Sequence, residues 1–149
     1  MAAAKVKAPA TLAEPKSKMI TVVSVVDIVG ALSTETLEGN IYFMDTNKAG
    51  GSKDLGTESV KTAVKKGDRV IWGVQALECE AFAAIHGIII DKDFCEPERK
   101  VYPGTDVSYW MGTVKKDIDS LSYHIQLKVG TRTEPMTTVT ELYLIGANA

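Results

Sequence analysis

The chain has 149 residues and a mass of 16.1 kDa, one domain's worth of sequence and enough to bury a core without staples. Its 17 basic and 19 acidic residues leave a formal net charge of −2, without the basic excess of a dedicated nucleic-acid binder. Two cysteines, Cys79 and Cys95, are too few for a disulfide framework or a closed zinc site, and no apolar stretch approaches the ~20 residues of a membrane-spanning helix.

The opening residues, MAAAKVKAPATLAEPKSK, lack the apolar core of ~7–15 residues that a secretory signal needs, so cytoplasmic synthesis is expected. Lys5, Lys7, Lys16 and Lys18 face only Glu14, and Pro9 and Pro15 oppose helix and ladder pairing alike. Residues 1–18 are read as a flexible or extended arm and residues 19–149 as the folded domain. The arm is positive and the remainder negative, which suits an arm lying on a neighbouring copy as well as a solvated tail.

From Met19 the texture changes. Ile20 to Val26 is a β-branched run that suits a pleated surface, and Ala31–Asn40 reads as a polar connection closing on a Gly39–Asn40 turn. Ile41–Met44 is a second short strand, Asp45–Gly56 a loop, and Thr57–Val64 a partly alternating segment. A turn at Lys65–Asp68 leads into Arg69–Val74, the clearest strand, with Trp72 assigned to the core. Ala76–Ala84 fits a loop or a short helix; Ile85–Ile90 reads as a buried strand and Asp91–Thr105 as a long polar loop. Val107–Val114 and Leu121–Val129 are predicted to form a hairpin, and Thr137–Ile145 the last strand. Leu121, Tyr123, Ile125, Leu127 and Val129 alternate strictly with polar residues, giving one core face and one wet face. With seven to eight short strands and no amphipathic helices between them, the prediction is an all-β protein, an antiparallel β-sandwich of Ig-like or jelly-roll-like type.

No catalytic constellation emerges. Cys79, His86, Cys95 and His124 match no compact metal motif, and the carboxylates beside Cys79 oppose a reactive thiolate. Asp91 and Asp93 flank Lys92, which opposes a cation; solvated loop charge is the plainer reading. No metal or cofactor is expected. Tyr109 and Trp110 are neighbours on one strand and point to opposite faces, so one of them faces outward. With Asp91 and Asp93 they are the candidate ligand-binding residues of a carbohydrate-binding module. An enzyme would need distant residues to meet in a pocket.

Three segments are similar to the AidA/PixA inclusion-body protein family. Val22–Asp27 followed by Ile41-Tyr42-Phe43-Met44-Asp45 resembles its two opening strands, each ending in Asp. Gly56-Thr57 and the stretch from Val64 through Gly67-Asp68-Arg69-Val70-Ile71-Trp72 resemble its Gly-Asp strand entry, and Trp110-Met111-Gly112-Thr113-Val114 before Tyr123–Val129 resembles its Trp-x-Gly-x-Val segment. The resemblance covers residues 19–145. Departures are the ending Tyr143-Leu144-Ile145-Gly146, where the family has an aromatic before Asp-Pro, and only five methionines. The resemblance implies a small bacterial β-sandwich, deposited as intracellular inclusions in some members, with no catalytic residues to carry over. The expected function is therefore non-enzymatic self-association into a homo-oligomer or larger assembly, with the arm lysines contributing. A glycan is the partner under the alternative reading, and nucleic acid and membrane spanning are not expected.

Overall fold

The computed structural model describes residues 17–148. Most of the predicted arm, including Lys5, Lys7 and Lys16, lies outside them. Besides a single 3-10 turn at Lys48–Gly50, ten strands and one short α-helix follow in the order β1 (Met19–Val26), α1 (Ile28–Thr34), β2 (Ile41–Asp45), β3 (Lys61–Val64), β4 (Arg69–Ala76), β5 (Ala83–Ile89), β6 (Glu98–Val101), β7 (Ser108–Thr113), β8 (Ser120–Val129), β9 (Met136–Thr137) and β10 (Leu142–Gly146). They form two five-stranded sheets. The first runs β2-β1-β4-β7-β6; the second runs β3-β10-β8-β5, with β9 also paired to β8.

The all-β sandwich is as predicted, with four corrections to its interior plan. Pairing is mixed, because β1 lies parallel to β4 and β10 parallel to β3. Residues 28–34 are helical: Asp27 caps the helix by accepting a hydrogen bond from the Gly30 N–H at 2.9 Å, and Ile28 and Ala31 pin one side of it to the core. The polar segment after Asp91 contains β6, an edge strand held by β7. β7 and β8 are not a hairpin: β7 pairs with β4 and β6, β8 with β5, β9 and β10, and residues 115–119 carry the chain from one sheet to the other.

The core lies between the sheets. Ile20, Val22 and Val26 of β1, Val70 and Trp72 of β4, and the alternating Tyr123, Ile125, Leu127 and Val129 of β8 are all buried. Trp72 and Tyr123 join the layers: the indole Nε1–H donates to the Tyr123 hydroxyl at 3.1 Å, with the rings edge-on 5.9 Å apart. At the sandwich end where β1 begins, buried Asp68 accepts the backbone N–H groups of Lys18 and Lys65, each at 2.9 Å. Lys18 is thus tied to the β3–β4 turn. Gly112 is required by close packing: a Cβ there would stand 2.7 Å from Cys95 Sγ and 3.1 Å from the Pro97 backbone.

Candidate functional site

Strand alternation assigns each side chain of the first sheet to one of two faces. On β1, Ile20, Val22, Ser24 and Val26 point inward, so Met19, Thr21, Val23 and Val25 point outward. Pairing extends the outer face in register. Val25 stands opposite Tyr42 and Val23 opposite Met44 on β2; Thr21 is level with Ile71 on β4, and Ile71 with Met111 on β7. Glu98 faces Met111 and Lys100 faces Tyr109 at the β6 edge. The result is an apolar field of Tyr42, Met44, Val23, Val25, Ile71 and Met111 with Arg69, Glu98 and Lys100 at its margin. Gly73 makes a notch in it, since nothing lies within 4 Å of where its Cβ would stand.

The second sheet is different. Ser122, His124, Gln126 and Lys128 occupy the outer positions of β8, the polar exterior normal for an antiparallel sheet. Near-continuous apolar strands are expected where both faces of a sheet are covered. Such a strand, β1, sits in the first sheet, and no other element of the described residues packs on its outer face.

The free edges are protected. Phe43 of β2 exchanges backbone hydrogen bonds with the 56–57 segment, and Lys61 of β3 does so with Lys53. β6 is short and charged, and a bulge at His86 breaks the register of β5.

The aromatic candidates fall on both sides of β7. Tyr109 lies on the outer face, its ring 4.5 Å from that of Tyr102. Trp110 points into the sandwich, and its Nε1–H donates to the Ile85 carbonyl at 3.1 Å. Asp91 and Asp93 are exposed in the loop before β6, where the Asp91 carboxylate accepts the Asp93 N–H at 2.9 Å. That loop is bridged to Val114, some five residues and ~16 Å along the strand from Tyr109. The structure therefore does not bring the two aspartates to the tyrosine. Lys115 donates to the Lys92 carbonyl and to Glu96, placing a cation among these acidic side chains. A groove of about 290 Å³ between Glu98, Lys100, Met111, Thr113 and Lys115 borders the apolar field.

Among the described residues, no three His, Cys, Asp or Glu side chains gather as metal ligands, and no helix is long and apolar enough to cross a membrane. His86 is exposed on its bulge, whereas His124 Nδ1 is bonded to Thr138. Both cysteines are free, Cys79 exposed and Cys95 buried. Burial pushes the Cys95 thiol up to about 11, against the opposite pull of Lys115. The outer-face field was not singled out by sequence reasoning, although its signal was present: β1 is apolar at adjacent positions, not only at alternate ones.

The solved structures include a match of the same architecture, an inclusion body protein (PixA) from Burkholderia cenocepacia J2315. It superposes with a TM-score of 0.63 over 91% of this chain and 97% of that one, at 12% identity. At that identity the likeness is one of fold, and it agrees with the AidA/PixA resemblance in the sequence. No curated protein matches the chain by sequence. A family model described as a domain of unknown function, DUF8788, matches residues 18–134, from the start of β1 to the turn beyond β8. The chain belongs to that family.

Proposed function

We propose that this is a non-enzymatic protein of the inclusion-body type, working in the cytoplasm through contact between its own copies, and that the outer face of the first sheet is the contact surface. The observation that carries the reading is the open apolar field centred on β1. Five strands ~4.8 Å apart and about five residues along each span ~400 Å² in projection, and roughly twice that with side-chain relief. A standard interface takes ~800 Å² from each partner, so the face is large enough to hold a second copy. Its charged margin around an apolar centre has the usual interface anatomy. The protected edges direct contact to the face instead of to strand addition. Lys5, Lys7 and Lys16 add positive charge that supports association with the acidic body of a neighbour at low salt.

Sedimentation velocity across a concentration series tests the proposal. The intact chain is expected to form species larger than 16.1 kDa, and Ile71→Glu to shift that association to at least tenfold higher concentration. A strictly monomeric protein at millimolar concentration would overturn it.

The glycan-binding alternative has one observation in its favour, the paired Tyr102 and Tyr109 rings beside the groove at Lys100 and Glu98. Binding on a glycan array that is lost in Tyr109→Ala would support it, and silence there would remove it.

A further inference from the structure

A face that packs only on itself closes a dimer and stops; growth beyond it needs a second, different surface. The end of the sandwich at α1 offers one. Val29 and Leu32 on α1, with Leu77 and Phe82 in the β4–β5 connection, are 64%, 40%, 61% and 57% exposed. Three contacts bring these segments together. Glu78 accepts the Ile28 and Val29 N–H groups, the Gly130 N–H donates to the Phe82 carbonyl, and Leu32 packs over Gly130. α1 is thus apolar on its outer side as well as on its buried side.

We infer that the α1 end of one copy docks on the outer face of the first sheet of the next copy, head to tail, so that assembly is open-ended. The inference rests on the self-association reading and names its two halves. Charge supports the pairing. Asp27 and Glu35 cap α1 and Glu78 bonds its first turn, with Glu80 two residues further on, whereas at the margin of the face Lys100 and Lys115 balance Glu96 and Glu98 and Arg69 leaves a positive excess. Two like surfaces would bring like charges together; the unlike pair brings opposite ones. Shape supports it too, because the notch at Gly73 can receive a projecting side chain such as Phe82. The four exposed side chains offer ~400 Å² of apolar surface, about half of what a standard partner contributes. A single link is therefore weak, and long assemblies form only where the protein is concentrated.

A complementation experiment tests this on the full chain. The face variant carries Met44→Glu and Ile71→Glu; the end variant carries Val29→Lys and Phe82→Lys. Unchanged fluorescence of the buried Trp72 serves as the folding check, with the single variants Met44→Glu and Val29→Lys as milder substitutes. Each variant alone is expected to stay monomeric in sedimentation at concentrations where the intact chain grows. An equimolar mixture is expected to give a species of twice the monomer mass and no larger, since one intact end meets one intact face. An end variant that still dimerises alone would show the face packing on itself and overturn the inference while leaving self-association standing. An end variant that grows like the intact chain would overturn it as well. An intact chain that never associates would overturn both readings.

Discussion

Replacing Tyr123 by Phe removes the hydrogen-bond acceptor of the Trp72 indole N–H, at a place where both side chains are fully buried. The ring and its edge-on packing remain, so the loss is that of a satisfied polar group and not of apolar area. A buried donor left without a partner costs about 1–3 kcal/mol, more than the ~1 kcal/mol net worth of an ordinary hydrogen bond. In a chain of this length each kcal/mol lowers the thermal midpoint by roughly 2–4 °C, so Tyr123→Phe should melt about 2–12 °C lower. Burial also pushes the Tyr123 phenol well above its ordinary range, so the effect should not vary with pH between 6 and 9. Urea unfolding followed by tryptophan fluorescence measures the free energy directly. Tyr143→Phe is the control, because that hydroxyl bonds Glu141 at the surface and its loss should stay within about 0.5 kcal/mol. A Tyr123→Phe protein as stable as the parent would refute the reasoning, since the indole N–H would then have found another partner.

Ser24→Ala should raise stability by about 0.5–1 kcal/mol in the same urea assay, because the Ser24 hydroxyl is buried in the core without a partner among the described residues. Gly112→Ala should cost at least 2 kcal/mol, since the new methyl meets Cys95 Sγ and the Pro97 backbone; a midpoint within 2 °C of the parent would contradict the packing. Titration with a thiol reagent at pH 8 should modify Cys79 at once and Cys95 only after denaturant is added. For Glu78, a hydrogen bond with Asp27 and the N–H groups of Ile28 and Val29 hold the carboxyl below its ordinary value, against a smaller opposite pull from desolvation. A depressed native pKa stabilises the fold above pH 4.5 and less as pH falls through the native value, so melting midpoints of Glu78→Gln should fall less steeply than the parent's between pH 5 and 3.

What was legible in the sequence was local. The β-branched run at Ile20–Val26, the turn into Arg69 and the strict alternation of Leu121–Val129 each specify a strand through residues close together in the chain. Pairing partners are not written that way. The Lys115–Ser120 segment has the polarity of a hairpin turn, yet it crosses between sheets because β4 and β6 satisfy both edges of β7. β6 reads as polar because an edge strand guarded by Glu98, Arg99 and Lys100 has the composition of a loop. α1 has too few residues for a helical period to show, and its stability comes from capping by Asp27 and Glu78 together with the burial of Ile28 and Ala31. As for the candidate site, alternation placed Tyr109 and Trp110 on opposite faces, but the apolar field needs the register of four strands distant in sequence.

The parallel pairings also bear on how the chain reaches its fold. β1 bonds along its whole length to β4, some fifty residues later, and β10, made after both of its neighbours, sits between β3 and β8 in the second sheet. During synthesis β1 therefore emerges with both of its apolar faces uncovered and waits for β4. The second sheet cannot be completed until β10 has left the ribosome. Such non-local topologies fold slowly, on the scale of milliseconds to seconds, and the waiting chain is the sticky one. Chains that stop short of Leu142 would leave β3 without its partner in the sheet, held by the Lys53 bridge, and the flank of β8 open. Whatever shields β1, β3 and β8 during synthesis has to hold until β4 and β10 have emerged.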